Sequence, residues 1–335
     1  MADRQKFALT DKEHQKIFEK LVVPVYFSDI GKHPDEPSAV ILGGQPGAGK
    51  SALLDRATAD LEATGSTVVI NGDDFRIFHP AYARLQQDDP ENAAYFTDHD
   101  SGRWVEKTIE HGKTLGVNLV IESTMRNPDT FEKTSENLRK SGYMVEARAM
   151  AVPAAESWQG VHMRYEEMLA RGEQGRFTKR EAHDAGYEGV PRTLEAIEKN
   201  AWADRVTLEN RSGAIIYENH RKDGQWANEP GARSALEAER TRPRSVEEAD
   251  QYAQRWKLVA QQQEARGLSA QERQAIQDQA PRLPQTVPVR FSSTRQNDAP
   301  YWAQQIPKKR HHREDLSETL NVNSAQRKNK GPTLK

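Results

Sequence analysis

Gly44, Gln45, Pro46, Gly47, Ala48, Gly49, Lys50 and Ser51 follow one another as a full match to G-x-x-x-x-G-K-[ST]. Glycines in such a run let backbone N–H groups turn inward on phosphate oxygens. The helix that opens behind them adds its positive end, the lysine neutralises the outer phosphates, and the hydroxyl of Ser51 can hold Mg²⁺. The competing reading is a glycine-rich turn carrying a surface lysine. Placement directly after an apolar run and before a helical pattern favours phosphate binding.

Asn71-Gly-Asp73-Asp74-Phe75 comes next. A carboxylate here can take a proton from an attacking hydroxyl or hold Mg²⁺, and Asp also caps helices often. With two adjacent acids, one of each role is expected. Glu122-Ser-Thr124-Met-Arg126 offers hydroxyls and a cation for a substrate, although Ser and Thr are ordinary turn residues too. Arg164, on a helical stretch with His162, Tyr165 and Met168, and Arg176, in the glycine-flanked run from Arg171, are cations of the kind phosphoryl transfer needs on the migrating group. Solvated arginines are the equal alternative on spacing alone. The histidines show no metal-ligand spacing. The one Asn-Lys pair, Asn329-Lys330, does not continue into a guanine-recognition string.

These residues need a frame. Ser38 to Gly43, Val68 to Ile70, Asn118 to Ile121 and Met144 to Val152 are short continuous apolar runs of the kind buried parallel strands show, and Val206 to Leu208 with Ile215 to Tyr217 reads as a late strand pair. Helical patterns fall between them, at Lys50 to Ala63, Thr130 to Gly142, Ser157 to Ala170 and Arg192 to Lys199, while His79 to Asp100 reads as polar and irregular before a helix carrying Trp104, Ile109 and Leu115. Leu9 to Phe27 reads as a helical preface that Pro24 interrupts. The alternation predicts an α/β fold, a mostly parallel sheet flanked by helices, with the phosphate loop and its ligands at the carboxyl ends of the strands. Every polar cluster above sits at such an end.

The chain has 335 residues, 36% apolar and 29% charged, with a net charge of −2 and no cysteine. Fibrous and wholly disordered classes are excluded, as are disulfide scaffolds, thiolate zinc sites and cysteine nucleophiles. No apolar run reaches about 18 residues and no signal-peptide pattern opens the chain, so no membrane contact and a cytoplasmic location are expected. Residues 1–235 are expected to form the domain that carries the phosphate loop. The Gln- and Glu-rich residues 236–280 are expected to form a helical extension, with one or two exposed helices over Arg244 to Gln279. Residues 281–335 read as a disordered basic tail.

Taken in order, GQPGAGKS, INGDDFRIFHP, VIESTMRNPD, ARAMAVP, HMRYEEM and GRFTKREAHD resemble the zeta toxin family, P-loop kinases of bacterial toxin–antitoxin systems, over about Phe18 to His220. The resemblance implies transfer of the γ-phosphoryl group of ATP to the 3′-hydroxyl of the amino sugar of UDP-N-acetylglucosamine. It implies Lys50 as the phosphate-loop lysine, Ser51 as the magnesium-binding hydroxyl and Asp73 as the catalytic base. Glu106, Thr124 and Arg126 are implied as substrate-binding residues, Arg164 and Arg176 as the phosphate-clamping arginines, and an antitoxin protein as a partner. Met125 stands where the family often has a small residue, a change expected to bear on the sugar pocket.

Two other readings stay open at this stage. One is a kinase for another nucleotide-linked hydroxyl such as that of NAD. The other is a nucleotide-dependent binding module presenting the basic run Lys308 to Arg313, although that run lacks interleaved aromatics and nucleic-acid binding is not expected from it.

Overall fold

Apolar β-rich runs with glycine or acid directly behind them form the strands. In the computed structural model, which describes residues 4–172 and 177–285, they assemble into one sheet. The chain enters through α1 (Asp11–Ile17), a five-residue π-turn (Phe18–Val22) and α2 (Val23–Phe27). Pro24 does not interrupt this preface. The helix widens by one residue ahead of the proline, with Val23 N–H donating to Phe18 O, and so passes a residue that has no donor of its own.

Then follow β1 (Ser38–Gly43), α3 (Lys50–Glu62), β2 (Thr67–Asn71), a 3₁₀ turn (Asp74–Phe78), α4 (Tyr82–Asp88), α5 (Pro90–Leu115), β3 (Asn118–Glu122), α6 (Pro128–Lys140), β4 (Met144–Met150), α7 (Ala154–Ala170) and α8 (Arg180–Asn200). β5 (Arg205–Glu209), β6 (Ile215–Lys222), β7 (Gln225–Trp226), α9 (Ala232–Thr241), α10 (Val246–Ala265) and α11 (Ala270–Asp278) complete it. The order across the sheet is β2-β3-β1-β4-β5-β6-β7, parallel through β5 and antiparallel beyond.

Alternate strand residues feed opposite faces. Val40, Leu42 and Val120 pack on Leu53, Ala57 and Leu61 of α3, whereas Ile41, Leu119, Ile121, Val145 and Val206 pack on residues of α5, α6, α8 and α9. Each fully buried Leu or Ile contributes about 1.5–3 kcal/mol, so both faces hold the sheet firmly. The strands therefore end together, with Glu122 in register with both Asn71 and Leu42.

Two further expectations are corrected. Residues 79–100 are not irregular: α4 and the start of α5 cover most of them, because Leu85, Ala93 and Phe96 close a small cluster with Phe7, a partner remote in sequence. The helices over Arg244 to Gln279 are not both exposed. α10 lies along α7 with Trp256 and Val259 buried, and Gln159 donates to Tyr252 O at 2.7 Å. α9 spans position 235 and places Ala232 and Leu236 in the main core. Residues 286–335, and with them Lys308 to Arg313 and nearly all of the basic tail, lie outside the described residues.

Candidate active site

Gly47 is the tightest point of the loop between β1 and α3. Its φ of 75° is left-handed, and a Cβ would overlap Ser157 O and come within 2.6 Å of Val161 N. Gly160 is constrained reciprocally against Gly47 O, so the loop rests main chain to main chain on the first turns of α7. Within the loop, Ala48 N–H donates to Gln45 O at 3.2 Å. Lys50 folds back over it, donating from Nζ to Gly44 O at 2.9 Å and Gln45 O at 3.4 Å.

Burial pushes the Lys50 ammonium below its ordinary value. Glu122 pulls it back up, Arg164 repels it and Asp73 attracts it. Four groups from four separate segments thus share one field at the carboxyl ends of β1, β2 and β3. In the sequence Glu122 is only part of a polar strand end. Its position one residue past the apolar run of the strand beside β1 was the signal available.

Asp73 occupies the position before the 3₁₀ turn, but its carboxylate does not cap it. Its N–H donates to Asn71 Oδ1 at 3.0 Å, and its Oδ1 accepts from Arg76 Nε at 3.0 Å. Arg76 is buried and fixed by Ala94 O (2.7 Å), Thr97 Oγ1 (3.3 Å) and Asp98 Oδ1 (3.2 Å). The division of the two acids into one cap and one reactive group is therefore not what the fold adopts: the turn has no side-chain cap. The charge of Asp74 is felt at Tyr26, whose hydroxyl burial and that carboxylate push well above its usual range. Arg76 went unnoticed in the sequence, although its i,i+3 spacing from Asp73 allowed the pair.

On the other side of Glu122, Ser123 and Thr124 are half-buried and Arg126 is exposed. Met125 takes a left-handed φ of 47°, its N–H donating to Ser123 Oγ at 3.0 Å, and its buried side chain fills the place a Cβ on Gly43 would need. Met125 thus forms wall between β1 and β3 and presents almost no surface to a sugar. The backbone of Arg126 is seated against Gly189 of α8, where a Cβ would come within 2.6 Å of its Cα. Glu106 is exposed on α5, next to Val105, which lies beside Gly72. Arg164 is exposed on α7 yet acts on Lys50. Arg176 lies outside the described residues. Phe177 after it packs edge-on against Trp158 and Tyr165 of α7, at 5.8 and 5.3 Å between ring centres.

This set suits a polyphosphate and one divalent cation. The cradle is main chain, Lys50 is bonded among the described residues to carbonyls that phosphate oxygens can replace, and Ser51 stands in the first turn of α3. Among the described residues no group of three or more acids and histidines could hold a metal by itself. The cation that fits is one bound by a hydroxyl, a carboxylate and phosphate oxygens, as Mg²⁺ is. The charge of the Asp73 carboxylate reaches Lys50, and its Oδ1 accepts from Arg76 Nε. Also among the described residues, no helix is long and apolar enough to cross a membrane.

The zeta toxin family model matches residues 26–222. The toxin PezT of Streptococcus pneumoniae serotype 4 is 32% identical over 189 residues, which are 56% of this chain and 74% of PezT. The toxin zeta of Enterococcus hirae is 34% identical over 187 residues, 56% of this chain and 65% of that protein, so the match spans just under two thirds of the latter. A solved structure from a study of the PezAT chromosomal toxin–antitoxin system of S. pneumoniae superposes with a TM-score of 0.64 at 25% identity, covering 76% of this chain and 99% of the other.

Proposed function

The chain belongs to the zeta toxin family, and within it we propose an ATP-dependent kinase that phosphorylates the 3′-hydroxyl of the amino sugar of UDP-N-acetylglucosamine and so acts as a bacterial toxin. The observation that carries this reading is geometric: Lys50 lies folded over the phosphate loop, and at the neighbouring strand end the Asp73 carboxylate is held by the buried Arg76. A switch that merely binds nucleotide has no use for a carboxylate anchored by a buried arginine at that place. The acceptor rests on the run from Glu122 to Arg126 and its likeness to the family.

The phosphate loop holds the triphosphate with its terminus toward Lys50. Asp73, steadied by Arg76, takes the proton of the acceptor hydroxyl as that oxygen bonds to the γ-phosphorus. The bond from the γ-phosphorus to the bridging oxygen breaks and ADP leaves. Lys50 and Arg164, joined by Arg176, neutralise the migrating group, so most of the rate comes from position and charge. Mg²⁺ held through Ser51, with Glu122 or Asp73 at hand, would add charge neutralisation at the phosphates. Thr124, Arg126 and Glu106 hold the nucleotide sugar. The reacting and substrate-holding side chains named here all fall within residues 1–235, and an antitoxin that obstructs the nucleotide site is the partner such a toxin implies.

The full chain, incubated with ATP, Mg²⁺ and separately with UDP-N-acetylglucosamine, other nucleotide sugars and NAD, is expected to add one phosphoryl group to the first, seen by mass. Phosphorylation of NAD or another sugar instead would overturn the acceptor. ATP left unconsumed with every acceptor would overturn the kinase.

A further inference from the structure

Gln45 has two sides. Its main-chain carbonyl accepts from Lys50 Nζ and Ala48 N–H and so belongs to the phosphate loop. Its side chain is fully buried behind the loop with each of its polar atoms engaged. Nε2 donates to Val152 O at 2.8 Å and Ser157 Oγ at 3.1 Å, and Oε1 accepts from Arg240 Nη2 at 3.0 Å. A carboxamide tied at both ends cannot flip without stranding buried groups, so it holds the main chain of residue 45 in one orientation.

Arg240 belongs to α9, beyond the segment 26–222 that matches the family model. It is 4% exposed, lies 3.9 Å over the ring of Tyr187 and donates from Nη1 to Tyr187 O at 2.8 Å. Its hydrogen bonds go to a carbonyl and an amide, with no carboxylate among them. Burial pushes its pKa down to about 10, which leaves it charged at neutral pH. A buried guanidinium so placed is costly where it serves packing alone. Here it points positive charge at the back of a loop whose ligand is a polyanion.

We propose that Arg240 is a positioning residue for the phosphate loop: through Gln45 it fixes the conformation in which the loop and Lys50 receive the triphosphate, so that the C-terminal helix α9 is part of the nucleotide site. The kinetic consequence rests on the function proposed above; the conformational one does not. A second link runs in parallel. Arg244, buried just past α9, donates to Glu156 Oε1 at 3.1 Å in the first turn of α7, the turn on which Gly47 rests.

The test uses the full chain with Arg240→Met, Arg240→Lys and, as an exposed control in the same helix, Arg233→Ala. Without nucleotide, amide hydrogen exchange at residues 45–51 should speed up in Arg240→Met and stay unchanged in Arg233→Ala. With ATP, loss of a buried charged hydrogen bond should raise the KM for ATP about tenfold, with kcat and the KM for the acceptor changing less. Arg240→Lys, which keeps charge and one partner, should fall between and carries the test if the methionine variant does not fold. In Gln45→Met the further change Arg240→Met should leave the KM for ATP where it is. Faster exchange confined to α8 and α9 with an unchanged KM for ATP would make Arg240 a packing residue and overturn the proposal. If the wild type bound no ATP the kinase reading would fall, while the exchange data would still decide the coupling.

Discussion

Two cations flank the phosphate loop, the half-buried Lys50 in front and the buried Arg240 behind, and their hydrogen bonds go to partners of different kinds, Arg240 Nε having none. Among the described residues Lys50 donates to loop carbonyls, with Glu122 and Asp73 supplying charge from a distance, so its bonds are ones an arriving phosphate can replace. Arg240 is bonded to Tyr187 O and Gln45 and stacked on a ring, bonds that no ligand at the front displaces. Burial lowers both pKa values. The difference teaches that desolvating a cation makes it reactive only where its partners are exchangeable; elsewhere the same desolvation makes a strut.

The largest effect expected from breaking this contrast is at the front. Lys50→Met should cut phosphoryl transfer by about a thousandfold while the protein still unfolds cooperatively, and near-native turnover would deny Lys50 its role. Asp73→Asn follows, with a loss of about a hundredfold in kcat, measured as the rate of product formation at saturating substrate. Gly47→Ala strains both faces at once, since the methyl meets Ser157 O and Val161 N at a left-handed φ. It should destabilise the fold by about 2–5 kcal/mol in urea titration. The smallest effect on catalysis concerns acid. Burial among Trp158, Trp256 and Phe177 pushes His162 from 6.5 to about 4, with Glu166 opposing. The folded state then binds fewer protons than the unfolded one. The stabilisation, about 3 kcal/mol, is complete above pH 6.5 and is lost as pH falls toward 4. The melting temperature should fall across that window, and His162→Phe should flatten the fall.

The front of the loop was legible because local chain carries it: glycines, lysine and hydroxyl are contiguous, and each strand is an apolar run ending in polar residues. The zeta toxin likeness rested on the same strings. The back was not. Arg240 meets Gln45 across 195 positions, and an arginine in a charged helix looks solvated until the fold buries it. The same holds for α4 and the start of α5, whose apolar residues are too sparse to show a period and find their partner in Phe7. Arg76 was hidden differently: its spacing from Asp73 was visible, but its burial under Ala94, Thr97 and Asp98 was not. Met125 misled because a long side chain beside substrate residues suggests a pocket lining, whereas a left-handed turn sends it under Gly43.

The contacts of Gly47 with α7 and of Arg126 with Gly189 of α8 are between bare peptide planes. Under the proposed reading, donor and acceptor sites are each bolted to a rigid rod without a compressible side chain as gasket. The gap between the acceptor oxygen and the γ-phosphorus is then ruled by how two helices lie, and a methyl group added at either bolt would detune the whole instrument rather than one wall of it.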